Sequence, residues 1–404
     1  MKRRDFLQLT ALGTLGLTAC PLSMEHGVWN PCVHPPNYGR LGRDLIAAAF
    51  DGLDHSKIWD VHAHLVGVGD ADTGAWTNPD MASAAHPLQM LQRRFYMNAA
   101  CVEGEVPLDF AYLRRLNELH GELPHGAKLM LLAFDVWHDP DGTRRQEMTT
   151  FYLPNDYARR VAWSWPERYE WICSIHPYRT DCVEELDLCV ERGARAVKWL
   201  APAMGIDPAS PDCDRFYERC AHHGIPILSH AGAERAVESH LEDVGNPLRL
   251  RRALEHGVRV IVAHCASLGD GVDLDVGPDG PSVSNFDLFA RLMDEPRWEG
   301  QLVGEISALT QNNRAPALRA VIERTDWHGR LLNGSDYPLP GVFPIFSPRN
   351  FVSDGLLTSR EAAGLGAIRE SNPLLFDFVL KRHLRVGDSR FADSVFETRD
   401  FFAG

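Results

Sequence analysis

The stretch Trp59-Asp60-Val61-His62-Ala63-His64-Leu65 decides the fold of this chain. It is largely apolar and runs into a glycine-containing segment, which predicts a short buried β-strand that ends in a loop. Side chains two residues apart share one face of a strand, so we expect Asp60, His62 and His64 to point the same way. Two imidazoles on one face, about 7 Å apart by the rise per residue, can bind one metal ion.

Seven further apolar runs bounded by turn residues follow, and amphipathic stretches lie between them. The predicted strands are Ile58–His64, Ala127–Asp135, Trp171–His176, Ala194–Leu200, Ile225–His230, Val258–His264, Leu302–Ser307 and Leu331–Asp336. The predicted helices include Cys182–Arg192, Cys213–His223, Pro247–His256, Phe286–Met293 and Ala315–Arg324. Eight strands alternating with helices imply parallel pairing and favour an α/β fold of the closed (β/α)8 TIM barrel type over an open sheet.

The chain is expected to divide into an export signal (1–19), a tether and N-terminal segment (20–55), the barrel (56–385) and a C-terminal tail (386–404). Between the first two strands lie two helical patterns, Pro87–Ala100 and Leu108–Leu119. Insertions of this length on the catalytic side of a barrel commonly shape its pocket. After the last strand, a helical cap is predicted at Ser359–Arg382.

The N-terminus has the pattern of an export signal. Adjacent Arg3 and Arg4 precede a weakly apolar run that is too short to span a bilayer. The pair resembles the twin-arginine signal, and Leu-Thr-Ala-Cys at 17–20 resembles the lipobox of bacterial lipoproteins, which implies a lipid on Cys20. The alternative is an ordinary cysteine beyond a simple cleavage site. We therefore expect a lipid-anchored protein of the bacterial cell envelope, in the periplasm or on the outer surface.

Composition narrows the expected partners. The chain has 404 residues, 45% of them hydrophobic, and a net charge of −14, which argues against a nucleic-acid partner. A small-molecule substrate is the expected partner, a homodimer is left open, and the lipid on Cys20 is the only membrane contact in view. None of the 9 cysteines forms a Cys-x-x-Cys pattern, so we expect no thiolate zinc site and at most two disulfides.

Polar side chains stand at the predicted ends of six strands. They are His62 and His64 on strand 1, Lys198 on strand 4, His230 on strand 5, His264 on strand 6, Glu305 on strand 7 and Asp336 on strand 8. The carboxyl ends of barrel strands meet at one mouth, where catalytic residues lie. Imidazoles and carboxylates are ligands for zinc and similar metals, so the pattern indicates a catalytic divalent metal, with zinc the first expectation and one or two ions left open.

This pattern resembles the amidohydrolase superfamily. The resemblance rests on Asp60-Val61-His62-Ala63-His64, Ala196-Val197-Lys198, Leu228-Ser229-His230, Val262-Ala263-His264 and Leu332-Asn333-Gly334-Ser335-Asp336-Tyr337-Pro338. The last motif is most similar to the branch that groups decarboxylases of aromatic and muconate-type acids with hydrolases. The resemblance implies that His62, His64, His230 and Asp336 bind one metal and that Asp336 also accepts a proton from water.

The sequence leaves alternative roles open for His264 and Lys198. His264 is interpreted either as an acid or base that donates a hydrogen bond to the substrate carbonyl, or as a ligand of a second metal together with Lys198. The resemblance to two-metal relatives implies that Lys198 could react with carbon dioxide and bridge two ions. As an ammonium, Lys198 would instead pair with an acidic substrate or with Glu305, or form a structural salt bridge.

Other residues near strand ends are candidates for substrate contacts: His176, Arg179, Trp199, Glu305 and Tyr337, with Trp137 and His138 as further possibilities. Arg179 is the best candidate to bind a substrate carboxylate with its fork of donors, and a surface ion pair is the alternative. Asp60, one layer below His62, is expected to orient an imidazole or a buried neighbour, and a solvated turn is the alternative.

The function expected from these residues is that of a metal-dependent hydrolase, which cleaves an ester, lactone, amide or phosphoester bond of a small molecule with a metal-activated water. The alternative is a metal-dependent decarboxylase, a lyase acting on an aromatic or unsaturated carboxylic acid. A barrel that binds metal only for recognition is a third hypothesis, disfavoured because such a protein needs no open-sided ion.

Overall fold

A computed structural model describes residues 27–403, and eight parallel strands form its centre. The strands are β1 (Trp59–His64), β2 (Lys128–Leu132), β3 (Tyr169–Ile172), β4 (Val197–Trp199), β5 (Ile227–His230), β6 (Val260–Ala263), β7 (Leu302–Glu305) and β8 (Leu331–Leu332). They make an α/β fold of two parallel sheets, with the orders β1-β2-β3 and β8-β7-β6-β5-β4. Most strands are shorter than their apolar runs, which continue into buried loops. The export signal and Cys20 lie outside the described residues.

Single bridges join the edges of the two sheets. Ala63 of β1 pairs in parallel with Tyr337, just beyond β8, and Cys173, just beyond β3, pairs in parallel with Val197 of β4. At the first of these junctions, the backbone N–H of His64 donates to Tyr337 O at 2.9 Å. The eight predicted strands are therefore present in the predicted order, as two sheets that touch at both pairs of edges.

One apolar cluster takes side chains from all eight strands or the residues beside them. It consists of Trp59, Val61, Met130, Leu132, Ile172, Ala196, Leu228, Ile261, Ala263, Val303 and Leu332, together with Phe402 from the C-terminal tail. Lys198, His230 and Glu305 each come two residues after a member of this cluster. The alternation of a strand places them on the same face, one layer nearer the carboxyl ends.

A shift of register in β1 changes the expected alternation. Two successive pairs with β2, at Asp60 and Ala63, are three residues apart on β1 and two residues apart on β2. His62 and His64, two residues apart, still face the mouth together, whereas the extra residue turns Asp60 to the other side, where it lines a separate small cavity. The expectation that Asp60 points with the histidines is wrong. Asp60 Oδ1 accepts the backbone N–H groups of His62 (3.1 Å) and Ser335 (2.9 Å), so it holds buried neighbours, which is the second of the two roles expected for it.

Helices surround the strands, largely where amphipathic stretches predict them. They span Asn155–Ser164, Cys182–Glu191, Asp214–His223, Arg251–Glu255, Asn285–Met293 and Ala315–Glu323. The helix after β5 is shorter than predicted because Pro247–Leu250 forms a turn of 3-10 helix instead. The first of these helices, after β2, is not indicated in the sequence analysis.

Two further groups of helices flank the strands. Pro87–Ala99 and Leu108–His120 lie between β1 and β2, and the segment predicted as one cap forms two helices, Ser359–Ser371 and Pro373–His383. Asn372 separates these two, and its side chain caps the second by accepting from Leu375 N at 2.9 Å. In the described part of the chain, no helix is both long and apolar enough to cross a membrane.

One disulfide, Cys32–Cys101, links the N-terminal segment to the insertion. The six other cysteines of residues 27–403 are free and buried: Cys173, Cys182, Cys189, Cys213, Cys220 and Cys265. This agrees with the expectation of at most two bridges among these residues.

A buried ion pair connects the helix Pro373–His383 to the turn that carries Asp336. Lys381 Nζ donates to Asp377 Oδ2 and to the carbonyl oxygen of Gly334, both at 2.6 Å. Burial raises the pKa of Asp377 to about 6, against the lowering effect of Lys381. The pair is fully enclosed, so neither charge can turn to water if its partner is lost.

We expect Lys381→Met to lower the free energy of unfolding by about 3–5 kcal/mol, because the Asp377 carboxylate is left buried without a cation. Asp377→Asn should have a similar effect, and the double variant should cost clearly less than the two single losses together. Urea unfolding followed by circular dichroism measures all three. Strict additivity of the two losses would contradict this account of the pair.

Candidate functional site

The imidazoles of β1 meet the carboxylate of Asp336 at the carboxyl ends of the strands. His64 Nε2 lies 2.9 Å from Asp336 Oδ1, and His62 Nε2 lies 3.4 Å from the same oxygen. His264 joins them, since its ligand atom and those of His62 and Asp336 all lie within 4.8 Å of one another. Residues from β1, from the end of β6 and from the segment after β8 therefore converge on one point, where His264 takes the place that the predicted ligand set gave to His230.

The turn that carries Asp336 needs a glycine. A Cβ on Gly334 would lie 2.6 Å from both Glu305 Oε1 and the Cβ of His62, closer than real Cβ atoms approach. Asp336 itself has a left-handed backbone (φ 58°), and its N–H donates to His62 O at 2.7 Å. The Gly-Ser-Asp motif is thus a consequence of how closely this segment approaches β1.

Glu305 is the buried acceptor that organises the histidines. Its Oε2 accepts from Ser307 Oγ at 2.7 Å, from His62 Nδ1 at 3.1 Å and from the backbone N–H of His264 at 3.3 Å. Its other oxygen accepts from the backbone N–H of Ser307. With His62 Nδ1 engaged as the donor, Nε2 is left as a lone-pair donor toward Asp336 and the cavity.

His230 supplies a donor atom without a partner. Its Nε2 is buried and makes no hydrogen bond within residues 27–403, although Glu234 Oε2 lies 3.4 Å away. The ring stands 5.2 Å from that of His264, centre to centre. An unpaired buried nitrogen beside the His264 ring, in the lining of the same cavity, fits a divalent cation, because imidazole nitrogens together with a carboxylate oxygen suit zinc and similar ions.

Burial also sets the charge of these donors. Desolvation lowers the pKa of His62 and of His230 well below the usual value, and it lowers the pKa of His264 to about 3. Neutral imidazoles are the form that binds metal. Burial acts to raise the pKa of Asp336, but the neighbouring His62, His64 and His264 outweigh it and hold that pKa well below its usual range.

Lys198 is fully buried beside this cluster. Its Nζ lies 3.1 Å from His62 Nε2, and no described carboxylate lies within ion-pairing distance of it. The alternative in which Lys198 pairs with Glu305 is therefore not found, since that carboxylate is engaged by other donors. Burial lowers the pKa of Lys198 to about 8, although Asp336, Glu305 and Glu234 act to raise it.

A cavity of about 160 Å³ opens over these residues. Its floor contains His62, His64, Lys198, His230, His264 and Asp336, and its walls are mainly apolar with two phenylalanines, Phe134 and Phe151. The insertion after β1 supplies Arg93, Tyr96 and Met97 to the wall. Tyr96 OH donates to the carbonyl of Ala236, so the insertion is tied to the loop after β5.

The five residues proposed for substrate contacts do not line this cavity. Arg179 lies elsewhere, where its guanidinium pairs with Asp135 at 3.0 Å and Asp181 at 2.8 Å, so the alternative of an ion pair describes it. Glu305 lies beneath His62 and serves the histidines instead of facing the cavity.

The other three are held by neighbouring elements. His176 Nε2 donates to Met204 O at 2.8 Å, and Trp199 Nε1 donates to Ile175 O at 2.9 Å. Tyr337 is fully buried next to Tyr112, outside the cavity lining. Trp137 and His138 are also buried and do not line the cavity.

Several polar cavity residues are absent from the sequence analysis. They are Arg93, Tyr96, Glu234, Arg235, Gln311 and Arg314. All of them stand on the insertion or on loops beyond the strand ends. The strand pattern carries no signal for them, because their place depends on how these segments fold back over the mouth.

Comparison with known proteins gives the class. The amidohydrolase family model matches residues 59–344, most of the chain, and the protein belongs to that family. No curated protein matches the chain.

Solved structures similar to this chain include an uncharacterised TIM-barrel protein from Bordetella bronchiseptica (15% identity, 70% of this chain and 86% of that chain, TM-score 0.44). Another is a probable 2-pyrone-4,6-dicarboxylic acid hydrolase from Acinetobacter baumannii (16% identity, 76% of this chain and 90% of that chain, TM-score 0.42). A third is a 5-carboxyvanillate decarboxylase from Novosphingobium aromaticivorans with bound manganese (12% identity, 78% of this chain and 93% of that chain, TM-score 0.42). With TM-scores below 0.5, these likenesses carry no argument about the activity of this chain.

We expect purified protein to contain one divalent metal ion per chain and His62→Ala or Asp336→Ala to lose it, because each removes a donor from the convergent set. Elemental analysis by mass spectrometry measures the metal. His383→Ala, which removes a histidine bound to Leu45 O outside the cavity, is the matched control and should keep the ion. Equal metal content in the wild type, both site variants and the control would contradict the assignment.

Proposed function

We propose that this protein is a metal-dependent hydrolase of a small molecule, acting on an ester, lactone, amide or phosphoester bond. The observation that carries the proposal is the cluster of His62, His264 and Asp336, whose ligand atoms all lie within 4.8 Å of one another on the floor of one cavity. His64 lies 2.9 Å from Asp336, and His230 lines the same cavity with its ring next to that of His264. We propose His62, His64, His230 and Asp336 as the metal ligands and zinc as the metal. The family to which the chain belongs consists of enzymes, hydrolases or decarboxylases.

When bound, a divalent metal would supply Lewis acidity toward a substrate carbonyl and toward water. The remaining chemistry falls to the chain's own residues. Asp336, at the mouth, accepts a proton from the attacking water and returns it to the leaving group. His264 donates from Nδ1 toward Ser307 Oγ (2.8 Å) and Ser307 O (3.1 Å), because the Ser307 hydroxyl gives its own hydrogen to Glu305. The other nitrogen of the neutral ring therefore carries a lone pair, and His264 is held in place to act as a base toward the substrate.

The roles of Lys198 and His264 distinguish a site with one metal ion from a site with two. We propose a single ion, with His264 free for the substrate and Lys198 available as an ammonium. In the two-ion alternative, Lys198 carries carbon dioxide and bridges the ions. A mass increase of Lys198 equal to carbon dioxide, together with two ions per chain, would identify that alternative.

A metal-dependent decarboxylase of an aromatic or unsaturated acid is the second candidate. The observation that favours it is the aromatic and apolar wall around the metal site, with Phe134 stacked on His64 at 5.7 Å between ring centres. Such a wall suits a planar ring. Release of carbon dioxide without hydrolysis of any ester, lactone, amide or phosphoester would identify this reaction.

We also propose that the two sheets are halves of one closed (β/α)8 barrel within residues 56–385, preceded by the segment 20–55 and followed by the tail 386–404. The two edge bridges and the apolar cluster shared by all eight strands support this proposal. The insertion then lies on the catalytic side, in keeping with its contribution to the cavity wall.

We expect the metal-loaded protein to hydrolyse a member of a panel of esters, lactones, amides and phosphoesters, and Asp336→Asn to lower kcat roughly a hundredfold to ten-thousandfold because the proton acceptor is lost. Asp187→Asn, which changes an outer carboxylate paired with Arg219, is the control and should keep full activity. Hydrolysis that survives in Asp336→Asn would contradict the mechanism.

We further propose that the protein is exported to the cell envelope and anchored by a lipid on Cys20, with homodimer formation as an open possibility. The disulfide Cys32–Cys101 supports an oxidising compartment.

In a bacterial host, we expect the full chain to fractionate with membranes and Cys20→Ser to appear in the soluble envelope fraction, because the lipid is the only anchor proposed. Cell fractionation with immunoblotting measures the distribution. Cys189→Ser, at a buried free thiol, serves as the control and should stay in the membrane fraction. Membrane association that is unchanged in Cys20→Ser would rule out lipid anchoring at this residue.

A further inference from the structure

Arg314 is an unusual residue in the cavity wall. Its side chain is 6% exposed, yet no described carboxylate lies within ion-pairing distance of it. Nη1 donates to Ser267 Oγ at 2.7 Å and Nε donates to Gln311 Oε1 at 3.4 Å, whereas Nη2 makes no hydrogen bond to a described residue. A buried guanidinium held by neutral groups is costly, and it is normally compensated by an anion.

The two carboxylates that line the cavity, Glu234 and Asp336, contact other groups. Glu234 Oε1 accepts the backbone N–H groups of Ala236 (2.5 Å) and Val237 (3.0 Å), and Asp336 Oδ1 lies 2.9 Å from His64 Nε2. Burial lowers the pKa of Arg314 to about 10, although Asp336, Glu234 and Glu305 act to raise it, so the guanidinium remains charged at neutral pH. No described carboxylate contacts it directly, so its charge faces the cavity without an ion-pair partner.

A second arginine of the cavity also has no described carboxylate as a partner. Arg93, on the insertion helix Pro87–Ala99, lines the cavity and makes no ion pair or hydrogen bond to a described residue. Arg235 offers the contrast, because it also lines the cavity but is paired with Glu242 at 3.0 Å. The cavity thus contains two unpaired guanidiniums, one on a loop beyond β7 and one on the insertion.

We propose that Arg314, with Arg93 as a second contact, binds a carboxylate group of the substrate, so that these residues restrict the substrate to small carboxylic acids. This inference rests on the proposed function. The planar fork of a guanidinium matches a carboxylate and gives a strong, oriented contact. The carboxylate would compensate the buried charge and leave the rest of the substrate to reach the floor, where Asp336 and His264 lie.

The test uses three rigid probes and needs no turnover. Isophthalate, 3-carbamoylbenzoate and isophthalamide have the same shape and carry two, one and no carboxylates. Isothermal titration calorimetry on the full, metal-loaded protein measures their Kd. For the wild type we expect affinity to fall along this series. For Arg314→Met we expect the affinity for isophthalate to fall roughly tenfold and that for isophthalamide to stay unchanged, because only the charged probe uses the guanidinium.

Arg235→Met is the matched control and should preserve the wild-type series. If Arg314→Met fails to fold, Arg93→Met, at a partly exposed position, serves in its place and should show the same selective loss. An equal loss for isophthalate and isophthalamide, or no loss for either, would overturn the proposal. Because binding is measured without catalysis, a failed hydrolysis panel leaves this result standing. If the protein is a hydrolase and both variants keep the probe selectivity of the wild type, only this inference is refuted.

Discussion

The buried carboxylate of Glu305 is the constraint on which the site depends. It has no contact with solvent, so its oxygens must be satisfied by donors from the protein, and those donors come from three separate segments. The acceptance from His62 Nδ1 fixes which nitrogen of that ring faces the cavity, and the acceptance from the N–H of His264 fixes the start of a strained turn. One charged group at the end of β7 therefore sets the orientation of residues from β1 and β6.

Backbone strain is also concentrated around the candidate site. His264, Cys265 and Ala266 all have left-handed backbones, with φ near 50°, and Asp336 has the same conformation. Each costs on the order of 1–3 kcal/mol, which must be offset by surrounding contacts. The turn after β6 turns the His264 ring toward the other imidazoles, and the turn after Gly334 brings the Asp336 carboxylate to His64. The strained backbone conformations thus bring the side chains of His264 and Asp336 to the site.

Much of this arrangement follows from the sequence, and the exceptions have physical causes. Strand ends are encoded locally by apolar runs and turn residues, so His62, His64, His230, His264 and Asp336 could be identified. Asp60 could not be placed, because the extra residue in β1 depends on pairing with β2 and strict alternation does not reveal it. Arg179 carries the same chemistry as Arg314, but the partners Asp135 and Asp181 only become visible when the loops are folded. Which arginine faces the cavity is decided by those tertiary contacts.

Phe402 completes the apolar cluster to which all eight strands contribute, and it belongs to a short helix, Arg399–Phe402, which follows every strand in the chain. Strand pairing alone therefore leaves the amino-terminal side of this interior open to water near Trp59, which stacks on Phe402. Removal of the Phe402 ring would therefore hydrate this end of the interior while every strand pair stays in place.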